Sequence, residues 1–270
     1  MESSATFPAP AADSPLAGQT VIVTGAGSGL GRATALLLAR NGAKVVLTGR
    51  RPAPLERTME QICAAGGTAF ARCLDVTQPA AVRSLVDWVV GTVGVPDILV
   101  NNAGAASKVK NILWIDQDDW ETTVAINLTA VYAMVKAVLP AMLGAGRGTI
   151  VTISSLAAER PNLLGGAPYG AAKAAARNLM AYVRNTFRHQ GIRAATILPG
   201  EMDTPILDDR PVSPSAALRA RMMAPEDVAR IVLLCCCLPG RTMIEDVVVA
   251  PTVLRDQSAD LEFSRAIGRP

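Results

Sequence analysis

Short β-branched segments alternate with longer amphipathic segments along most of this chain, and this alternation limits the possible folds more than any other feature. The short segments are typical of buried strands and cover residues 20–24, 44–48, 68–73, 98–101, 149–153 and 192–198, with a seventh at 246–249. The longer segments predict helices near residues 30–41, 54–65, 79–93, 120–143 and 169–190, and Pro225 begins another. Strand, helix and strand repeated in this way predict right-handed crossovers. The expected fold is therefore α/β, a doubly wound parallel sheet of seven strands with helices on both faces.

The length and composition suit one large domain. The chain has 270 residues, of which 50% are apolar and 18% charged, and sheets covered by helices on both faces commonly reach this size as one unit. We predict a single domain over residues 18–256. Residues 1–17 are rich in Ala, Pro and Ser and are expected to form a flexible extension, and residues 257–270 to form a C-terminal tail.

Charge and hydropathy argue against several kinds of partner. The net charge of +3 is small, and the 26 Lys and Arg residues form no run that could follow a nucleic-acid backbone. No apolar stretch reaches the roughly 18 residues that crossing a bilayer needs, and residues 1–15 have no basic segment followed by a hydrophobic block. We expect a cytoplasmic protein that binds neither nucleic acid nor membrane.

The cysteines and the histidine argue against a metal site and against a hydrolase triad. The five cysteines have no C-x-x-C spacing, and Cys235, Cys236 and Cys237 are consecutive, so they cannot face one ion together. They are predicted to be small core residues. His189 is the only histidine and stands at the end of a predicted helix, so the chain offers no suitable base for a Ser-His-Asp arrangement.

A glycine-rich loop joins the first predicted strand to the first predicted helix. It reads Thr-Gly-Ala-Gly-Ser-Gly-Leu-Gly over residues 24–31, with glycines where the turn is tight and where the backbone would approach a pyrophosphate. The helix that follows would present free N–H groups to that anion. A purely structural turn uses the same residues, but the position in the first strand–helix unit favours a dinucleotide site. The predicted contacts are Gly25, Ser28, Gly29, Leu30 and Gly31.

The end of the second predicted strand indicates which dinucleotide binds. An NAD site usually has an Asp or Glu there to hold the ribose 2′-hydroxyl, whereas this chain has Arg50 and Arg51. Two guanidinium groups can hold a 2′-phosphate, and no carboxylate repels it. We therefore predict NADP(H), with NAD(H) the less favoured cofactor; the alternative is that both arginines are only solvated residues at a helix entry.

Tyr169 and Lys173 are four residues apart near the start of a predicted helix and so lie on one face. A free tyrosine titrates near pH ~10, and lowering that pKa to about 7 requires roughly 4 kcal/mol of additional phenolate stabilisation. An ammonium group about 4 to 5 Å away supplies roughly 3 to 4 kcal/mol at an effective dielectric constant near ~20. We therefore predict that Tyr169 protonates a carbonyl oxygen or deprotonates an alcohol, with Lys173 beside it.

The fifth predicted strand ends in Ser154 and Ser155, from which a hydroxyl can hydrogen-bond the same substrate oxygen. We select Ser155 for this role, and Ser154 remains the alternative. Serine at the end of a strand is also commonly only a turn or cap residue.

Together these motifs closely resemble those of the short-chain dehydrogenase/reductase family, whose fold is of the Rossmann type. The family pattern T-G-x-x-x-G-x-G corresponds to residues 24–31, N-N-A-G to residues 101–104, Y-x-x-x-K to residues 169–173 and P-G-x-x-x-T to residues 199–204. Ser155 corresponds to the family's serine. The match runs in order from residue 18 to about residue 205 and is highly specific.

The resemblance implies roles that spacing alone does not. It places Asp75 and Val76 near the adenine, and it assigns to Asn127 a water that relays protons to Lys173. Lys173 would also bind the nicotinamide ribose, next to Tyr169. The remaining implied cofactor contacts are Asn101, Ala103 and Gly104 after the fourth strand, and Pro199, Gly200, Met202 and Thr204 near the carboxamide.

The expected function is hydride transfer between a nicotinamide cofactor and a carbonyl compound or secondary alcohol. A non-catalytic dinucleotide-binding sensor or scaffold is the alternative, since fold does not imply turnover. The complete set of Asn127, Ser155, Tyr169 and Lys173 favours the enzyme. Members of the family commonly pair through the helix predicted at residues 169–190, so a homodimer or homotetramer is expected.

Two features depart from the family pattern. The spacing from Ser155 to Tyr169 is one residue longer than is usual, and residues 241–252 lack the glycine-rich segment common near the last strand. Residues 201–224 match the family's substrate lid. The apolar residues of this segment suggest apolar substrates. Alternatively, they only pack the segment against the rest of the protein. They are Ile206, Leu207, Met222 and Met223.

Overall fold

The computed structural model describes residues 14–207 and 215–269. Its seven strands form one sheet, with parallel pairing throughout, in the order β3-β2-β1-β4-β5-β6-β7. The strands are β1 (Thr20–Thr24), β2 (Lys44–Gly49), β3 (Thr68–Cys73), β4 (Pro96–Asn101), β5 (Gly148–Ile153), β6 (Ile192–Pro199) and β7 (Asp246–Val249). The doubly wound parallel sheet predicted from the sequence is confirmed.

The helices lie on both faces of the sheet. They are α1 (Gly29–Arg40), α2 (Pro52–Ala64), α3 (Pro79–Thr92), α4 (Gln117–Val124), α5 (Ala130–Gly144), α6 (Ala167–Phe187), α7 (Ala216–Arg219), α8 (Pro225–Cys237) and α9 (Ser258–Ala266). Prolines at the first positions of α2, α3, α6 and α8 suit helix starts, because those N–H groups have no partner within the helix.

The two faces of the sheet bury two separate cores. Along β1, Val21 and Val23 face the cluster that includes α1, α2 and α8, whereas Ile22 faces the cluster that includes α3, α5 and α6. Side chains alternate between faces with a period of two residues, so a strand covered on both sides is apolar at every position. All five residues of β1 are buried for this reason.

The winding direction of the sheet reverses between β1 and β4. The chain moves outward from β1 through β2 to β3 and then returns to place β4 on the other side of β1. In sheets of this kind the ligand crevice lies outside the carboxyl ends of the strands at such a reversal. The fold therefore places the crevice beside Thr24 and Asn101.

The helix predicted at residues 120–143 is two α-helices joined by a π-helical turn, Ala125–Thr129. The whole stretch Gln117–Gly144 is long and apolar enough to cross a membrane by length and composition, so the sequence-based statement that no stretch reaches that length was too strict. Its apolar residues pack into the core, among them Val131, Met134 and Val138. In this fold the stretch is a helical segment that packs on one face of the sheet.

The ordered domain begins earlier and ends later than the sequence indicated. The predicted extension was to end at residue 17, but Leu16 is fully buried, and its N–H donates to the Asn41 carbonyl at 3.0 Å. A single leucine among Ala, Pro and Ser gave no periodic signal. Residues 1–13 lie outside the described residues. The predicted tail contains helix α9, whose short, mostly polar sequence also lacked a clear pattern.

The predicted lid is anchored at both ends. Leu207 is 1% exposed and Met223 is 7% exposed. Met202 and Met223 form an isolated parallel bridge, so the two ends of the lid lie side by side. These described residues pack the segment down, as the alternative interpretation expected. Residues 208–214 lie outside the described residues.

Candidate active site

The glycine-rich loop folds tightly at the carboxyl end of β1. Gly25 and Gly29 have φ values of +67° and +49°, a region that side chains other than glycine rarely adopt. A Cβ at Gly31 would lie 2.2 Å from the Gly25 carbonyl oxygen, so α1 can pack this closely only without a side chain there. Leu30 is buried behind the loop.

The start of α1 is open toward the crevice. Ser28 is the N-cap residue, but its side chain makes no capping hydrogen bond, so it satisfies none of the first N–H groups of the helix. Open N–H groups and the positive end of the helix dipole are the features that bind a pyrophosphate. The loop residues present thus fit the phosphates of a dinucleotide.

The chain reversal between β1 and β4 is held by polar side chains. The Asn102 side chain donates to the Thr24 carbonyl at 2.9 Å, and the Thr24 hydroxyl accepts from the N–H groups of Asn102 and Ala103 at 3.0 Å each. Asn101, by contrast, is 3% exposed, and its amide donates to Thr152 on β5. Asn102 belongs to the N-N-A-G motif, and the structure gives its side chain the role of joining the ends of β1 and β4.

The ends of β2 and β3, near which the family resemblance places the adenine, form another part of the crevice. Asp75 accepts from the N–H and the hydroxyl of Thr77, at 2.9 and 2.8 Å, which fixes its carboxylate, and Val76 is buried beside it. Arg50 and Arg51 are exposed at the end of β2. Neither guanidinium bonds to another side chain in the described part of the molecule.

The two serines at the end of β5 have different surroundings. Ser154 is 3% exposed, and its hydroxyl donates to the Lys173 carbonyl of α6 at 3.0 Å, which ties the strand to the helix. Ser155 is half-buried and accepts from the Ala157 N–H at 3.2 Å, so its own proton remains available. The geometry favours Ser155 over Ser154 as the residue that reaches a substrate.

The segment between Ser155 and Tyr169, which is one residue longer than is usual in the family, contains a turn at residues 162–165. Asn162 holds that turn, because its side chain accepts from the Gly165 N–H at 3.0 Å. Nearer the site, a Cβ on Gly170 would lie 3.3 Å from the Ala157 carbonyl oxygen, so the first turn of α6 packs closely on the turn after Ser155. Ser155 and Tyr169 thus stay on adjoining segments.

Lys173 is buried beside the ring of Tyr169. Its Nζ lies 5.6 Å from the centroid of the Tyr169 ring and donates to the Ile153 carbonyl at 2.8 Å. Burial lowers the pKa of Lys173 from 10.5 to about 8, because the ammonium loses its hydration. An ammonium has three donors, so this carbonyl leaves two for other partners.

Asn127 stands in the π-helical turn, and its amide is fixed in one orientation. The amide nitrogen donates to the carbonyls of Ala105 and Thr123, at 2.7 and 2.9 Å, so both of its protons are used. The side-chain oxygen is buried and lacks a partner among the described residues. A π-helical turn inside a helix is frequently found at a functional site.

The free oxygen of Asn127 and the ammonium of Lys173 face the same small space. A Cβ on Gly104 would lie 2.8 Å from Asn127 Oδ1 and 3.2 Å from Lys173 Nζ. Glycine at position 104 therefore keeps open a polar space between two side chains that sequence reasoning had placed in one relay.

Residues 199–204 connect the end of β6 with the glycine-rich loop. The Gly200 N–H donates to the Val249 carbonyl at 2.7 Å. At the other end, the side chain of Thr204 lies 3.5 Å from where a Cβ on Gly29 would stand. Pro199 is buried, and Met202 packs against the core beside α1 and α8. The segment thus runs along one side of the crevice.

Two positioning groups gave no sequence signal. Asp119 accepts from the N–H groups of Lys108 and Val109, at 3.1 and 2.9 Å, and so holds the loop after β4. Arg255 forms a bidentate ion pair with Glu201 at 2.8 Å. The second pair joins residues 54 positions apart, and no local pattern predicts such a contact.

This fold and its glycine-rich loop define a nucleotide-binding α/β protein, in which Tyr169 and Lys173 lie close together at the carboxyl end of the sheet. Residues 19–212 match the model of the short chain dehydrogenase family. The chain belongs to that family. It is an NAD(P)-dependent oxidoreductase that acts on alcohol or carbonyl groups.

Individual relatives agree with this assignment. The chain is 31% identical to cyclohexanol dehydrogenase of an Acinetobacter species, over 79% of this chain and 86% of that protein. It is 36% identical to 2,5-dichloro-2,5-cyclohexadiene-1,4-diol dehydrogenase of Sphingobium indicum, over 73% of this chain and 78% of the other. A metagenomic short-chain oxidoreductase crystallised with NADP superimposes with a TM-score of 0.78 at 33% identity, covering 89% of this chain and 100% of that one.

Proposed function

We propose that this protein is an NADP(H)-dependent oxidoreductase in which Tyr169 is the acid/base for a carbonyl or secondary alcohol substrate. The observation that carries the proposal is the buried Lys173 ammonium, 5.6 Å from the Tyr169 ring centroid and facing the same space as the free oxygen of Asn127. Burying a charge this deeply costs free energy. A neutral donor could hold the Ile153 carbonyl at lower cost. Assisting proton transfer at Tyr169, by contrast, requires a positive charge at this position.

In the reducing direction, Tyr169 donates its proton to the carbonyl oxygen of the substrate. The free proton of Ser155 forms a second hydrogen bond to that oxygen and stabilises the charge that develops on it. When bound, the nicotinamide supplies the hydride for reduction or accepts it in the reverse direction. The bond that forms on carbon and the proton on oxygen together give the alcohol.

Lys173 and Asn127 restore the proton of Tyr169. Lys173 favours the phenolate electrostatically while it is charged. The free oxygen of Asn127 is suited to accept from a water in the space above Gly104, and Lys173 can donate to the same water. This chain of groups gives the tyrosine a route to exchange its proton with solvent.

Arg50 and Arg51 support NADP(H) as the cofactor. Both are exposed at the end of β2, and neither is paired with another described side chain, so both can turn to a 2′-phosphate. Asp75, the nearby acid after β3, is engaged with Thr77. The glycine-rich loop and residues 199–204 would hold the pyrophosphate and the nicotinamide.

The substrate class that we propose is the six-membered cyclic secondary alcohol or the corresponding ketone. Two relatives carry the names of dehydrogenases that act on such rings. Leu156 directly follows Ser155 and packs near Gly200, so an apolar side chain borders the reacting position. A compact ring with one oxygen substituent suits an apolar wall with a few polar groups.

The assembly and the location follow as further proposals. Tyr132 on α5 and Tyr182 on α6 are 47% and 60% exposed, and large exposed apolar side chains on neighbouring helices suit pairing into a homodimer or homotetramer.

All five cysteines are free and two of them are exposed. Free thiols are typical of a reducing compartment such as the cytoplasm.

The experiment is steady-state reduction of cyclohexanone by wild type with NADPH and with NADH. The proposal predicts a clear preference for NADPH, and Arg50→Ala and Arg51→Ala should each raise the KM for NADPH about tenfold or more while leaving that for NADH unchanged. Arg83→Ala, an exposed arginine on α3, is the matched control. A wild-type preference for NADH contradicts the cofactor proposal. If wild type oxidises neither cofactor with any ketone or aldehyde, a non-catalytic dinucleotide-binding protein is the better description.

A further inference from the structure

The segment after β7, residues 250–269, is here called the C-terminal arm, and it leaves the sheet beside the candidate active site. A Cβ on Gly200 would lie 3.1 Å from both Pro251 Cδ and Leu156 Cδ1. Leu156 follows Ser155 in the chain. The arm therefore starts in contact with the end of β6 and next to the turn that carries the candidate serine.

An almost fully buried ion-pair cluster fixes the arm at this end. The guanidinium of Arg255 forms two parallel hydrogen bonds to the Glu201 carboxylate, each 2.8 Å long, and a third hydrogen bond to Asp260 at the start of α9. The Arg255 side chain is 6% exposed, that of Glu201 17% and that of Asp260 12%. Bidentate pairs are geometrically specific and, when shielded from water, strong. Glu201 belongs to the segment after β6 that borders the cofactor crevice.

The other end of the arm lies against the loop that follows β4. A Cβ on Gly268 would lie 2.9 Å from Val109 Cγ1 and 3.1 Å from Trp114 Cβ, so the arm packs on this loop with no gap. The same loop contains Ala105, whose carbonyl holds the Asn127 amide. The arm thus contacts the end of β6 at its start and the loop that follows β4 at its other end.

The loop after β4 in turn borders the start of α6. The Ala167 N–H donates to the Lys110 carbonyl at 3.2 Å, and Tyr169 lies in the first turn of that helix. Helix α9 has 9 residues and is therefore about 13 Å long. The arm therefore connects a contact beside the turn after Ser155 with a contact on the loop that borders the first turn of α6, the helix of Tyr169. Ser264 is buried on the inner face of α9, with Leu261 and Ile267 partly buried near it.

We propose that Arg255 is a positioning residue that, with Glu201 and Asp260, fixes the C-terminal arm between the end of β6 and the loop after β4, so that the arm forms the substrate-side wall of the same subunit and limits the size of the substrate. The proposal rests on the proposed function, because a wall at this place restricts a substrate only if the reaction occurs at Ser155 and Tyr169. Arg255 itself need not touch the substrate. It acts through the position of the arm.

The first test measures the attachment of the arm without any turnover. Amide hydrogen exchange is followed in wild type, Arg255→Gln, Arg255→Lys and the control Arg265→Gln, which changes an exposed arginine on α9. The proposal predicts at least about tenfold faster exchange in residues 258–266 of Arg255→Gln, an intermediate effect in Arg255→Lys, and wild-type exchange in the control. Exchange in Arg255→Gln equal to that of wild type overturns the proposal. The lysine variant keeps the charge but not the bidentate geometry, so it remains informative if the glutamine variant does not fold.

The second test measures size selection. The ratio of kcat/KM for 4-tert-butylcyclohexanone to that for cyclohexanone should rise about tenfold in Arg255→Gln and stay at the wild-type value in Arg265→Gln. Loss of activity in Arg255→Gln to the same extent with both ketones contradicts a wall and indicates a merely structural pair. If wild type reduces neither ketone, both the proposed function and the proposed role of the arm as a substrate wall are wrong. The exchange data still decide whether Arg255 anchors the arm.

Discussion

Lys173 combines a site role with a cost in stability, and both depend on its charge. Burial lowers its pKa from 10.5 to about 8 in the folded protein. Between those two values the unfolded chain binds more protons than the folded one, so the contribution of Lys173 to stability rises with pH. The same contribution is lost as the pH falls through about 8, where the folded protein must carry a buried charge.

This linkage predicts a difference between wild type and Lys173→Met. From about pH 7.5 to about pH 9.5, the free energy of unfolding of wild type should rise by about 2 kcal/mol relative to the variant. Denaturant titrations across this pH range measure it. The exposed Lys136→Met serves as control and should track wild type. A constant difference between wild type and Lys173→Met would show that the ammonium keeps its ordinary pKa.

Gly104 is predicted to be essential because of the space it leaves. Its φ is not in the left-handed region, so alanine is tolerated by the backbone, yet the new Cβ would stand 2.8 Å from Asn127 Oδ1. Gly104→Ala should lower kcat roughly tenfold to a hundredfold, because the displaced Asn127 side chain would no longer face the Lys173 ammonium in the original geometry. Gly144→Ala is the control, because a Cβ there meets nothing within 4 Å. Unchanged kcat in Gly104→Ala would exclude a relay through this space.

At the scale of single residues, the sequence predicted a candidate reactive set but not the contacts that select within it. The spacing of Tyr169 and Lys173 follows from helix geometry and is readable directly. The choice between Ser154 and Ser155 is not, because both end the same strand, and only the bond from Ser154 to the Lys173 carbonyl separates them. Asp119 and Arg255 escaped notice because their partners are brought near by the fold.

At the scale of elements, the strands could be predicted from the sequence, whereas the π-helical turn and the last helix could not. The central strands β1 and β5 are buried along their whole length and are largely β-branched runs. The outer strands β3 and β7 are less buried, but each still contains a short β-branched or aromatic segment. The π-helical turn at Ala125–Thr129 leaves no such mark, because its residues are as suited to an α-helix as to the wider turn. Helix α9 is amphipathic only over nine residues and follows a segment without the family's usual glycines.

The loop after β4 gives an element-scale prediction. Asp119 accepts from two backbone N–H groups with its two oxygens, and Asp119→Asn replaces one acceptor by a donor that would face an N–H. The variant should lose about 1 to 3 kcal/mol in the free energy of unfolding and show faster amide exchange at Lys108 and Val109. Asp118→Asn, in the same first turn of α4 but exposed, is the matched control. Equal stability of the two variants would contradict the role given to Asp119.

At the scale of the whole molecule, the alternation of strands and helices predicted the sheet and the edge at which the site lies. The reversal between β1 and β4 then gathers motifs that are 75 or more residues apart, such as Thr24 and Asn102. What the pattern could not supply is the path of the chain beyond β7, because no repeated unit follows it. The C-terminal arm is therefore known only from the structure.

Assembly is the molecular property that the exposed tyrosines predict. Light scattering of the purified protein should give the mass of a dimer or a tetramer, and Tyr182→Glu should lower that mass by placing a charge in the contact. Lys44→Glu, an exposed change at the start of β2, is the control. A monomer at micromolar concentration would remove the proposed pairing through α5 and α6 without affecting the site.

Hydride transfer to a substrate carbon beside Tyr169 can be followed with an isotopic label. The protein is incubated with cyclohexanone and NADPH that carries deuterium at the transferable C4 position, and the label is located by mass spectrometry. Wild type should place one deuterium on the carbinol carbon, and Tyr169→Phe, which keeps the ring but lacks the acidic proton, should react about 10² to 10⁴ times more slowly. Unlabelled alcohol from wild type, or labelled alcohol formed at the wild-type rate by Tyr169→Phe, would rule out this mechanism.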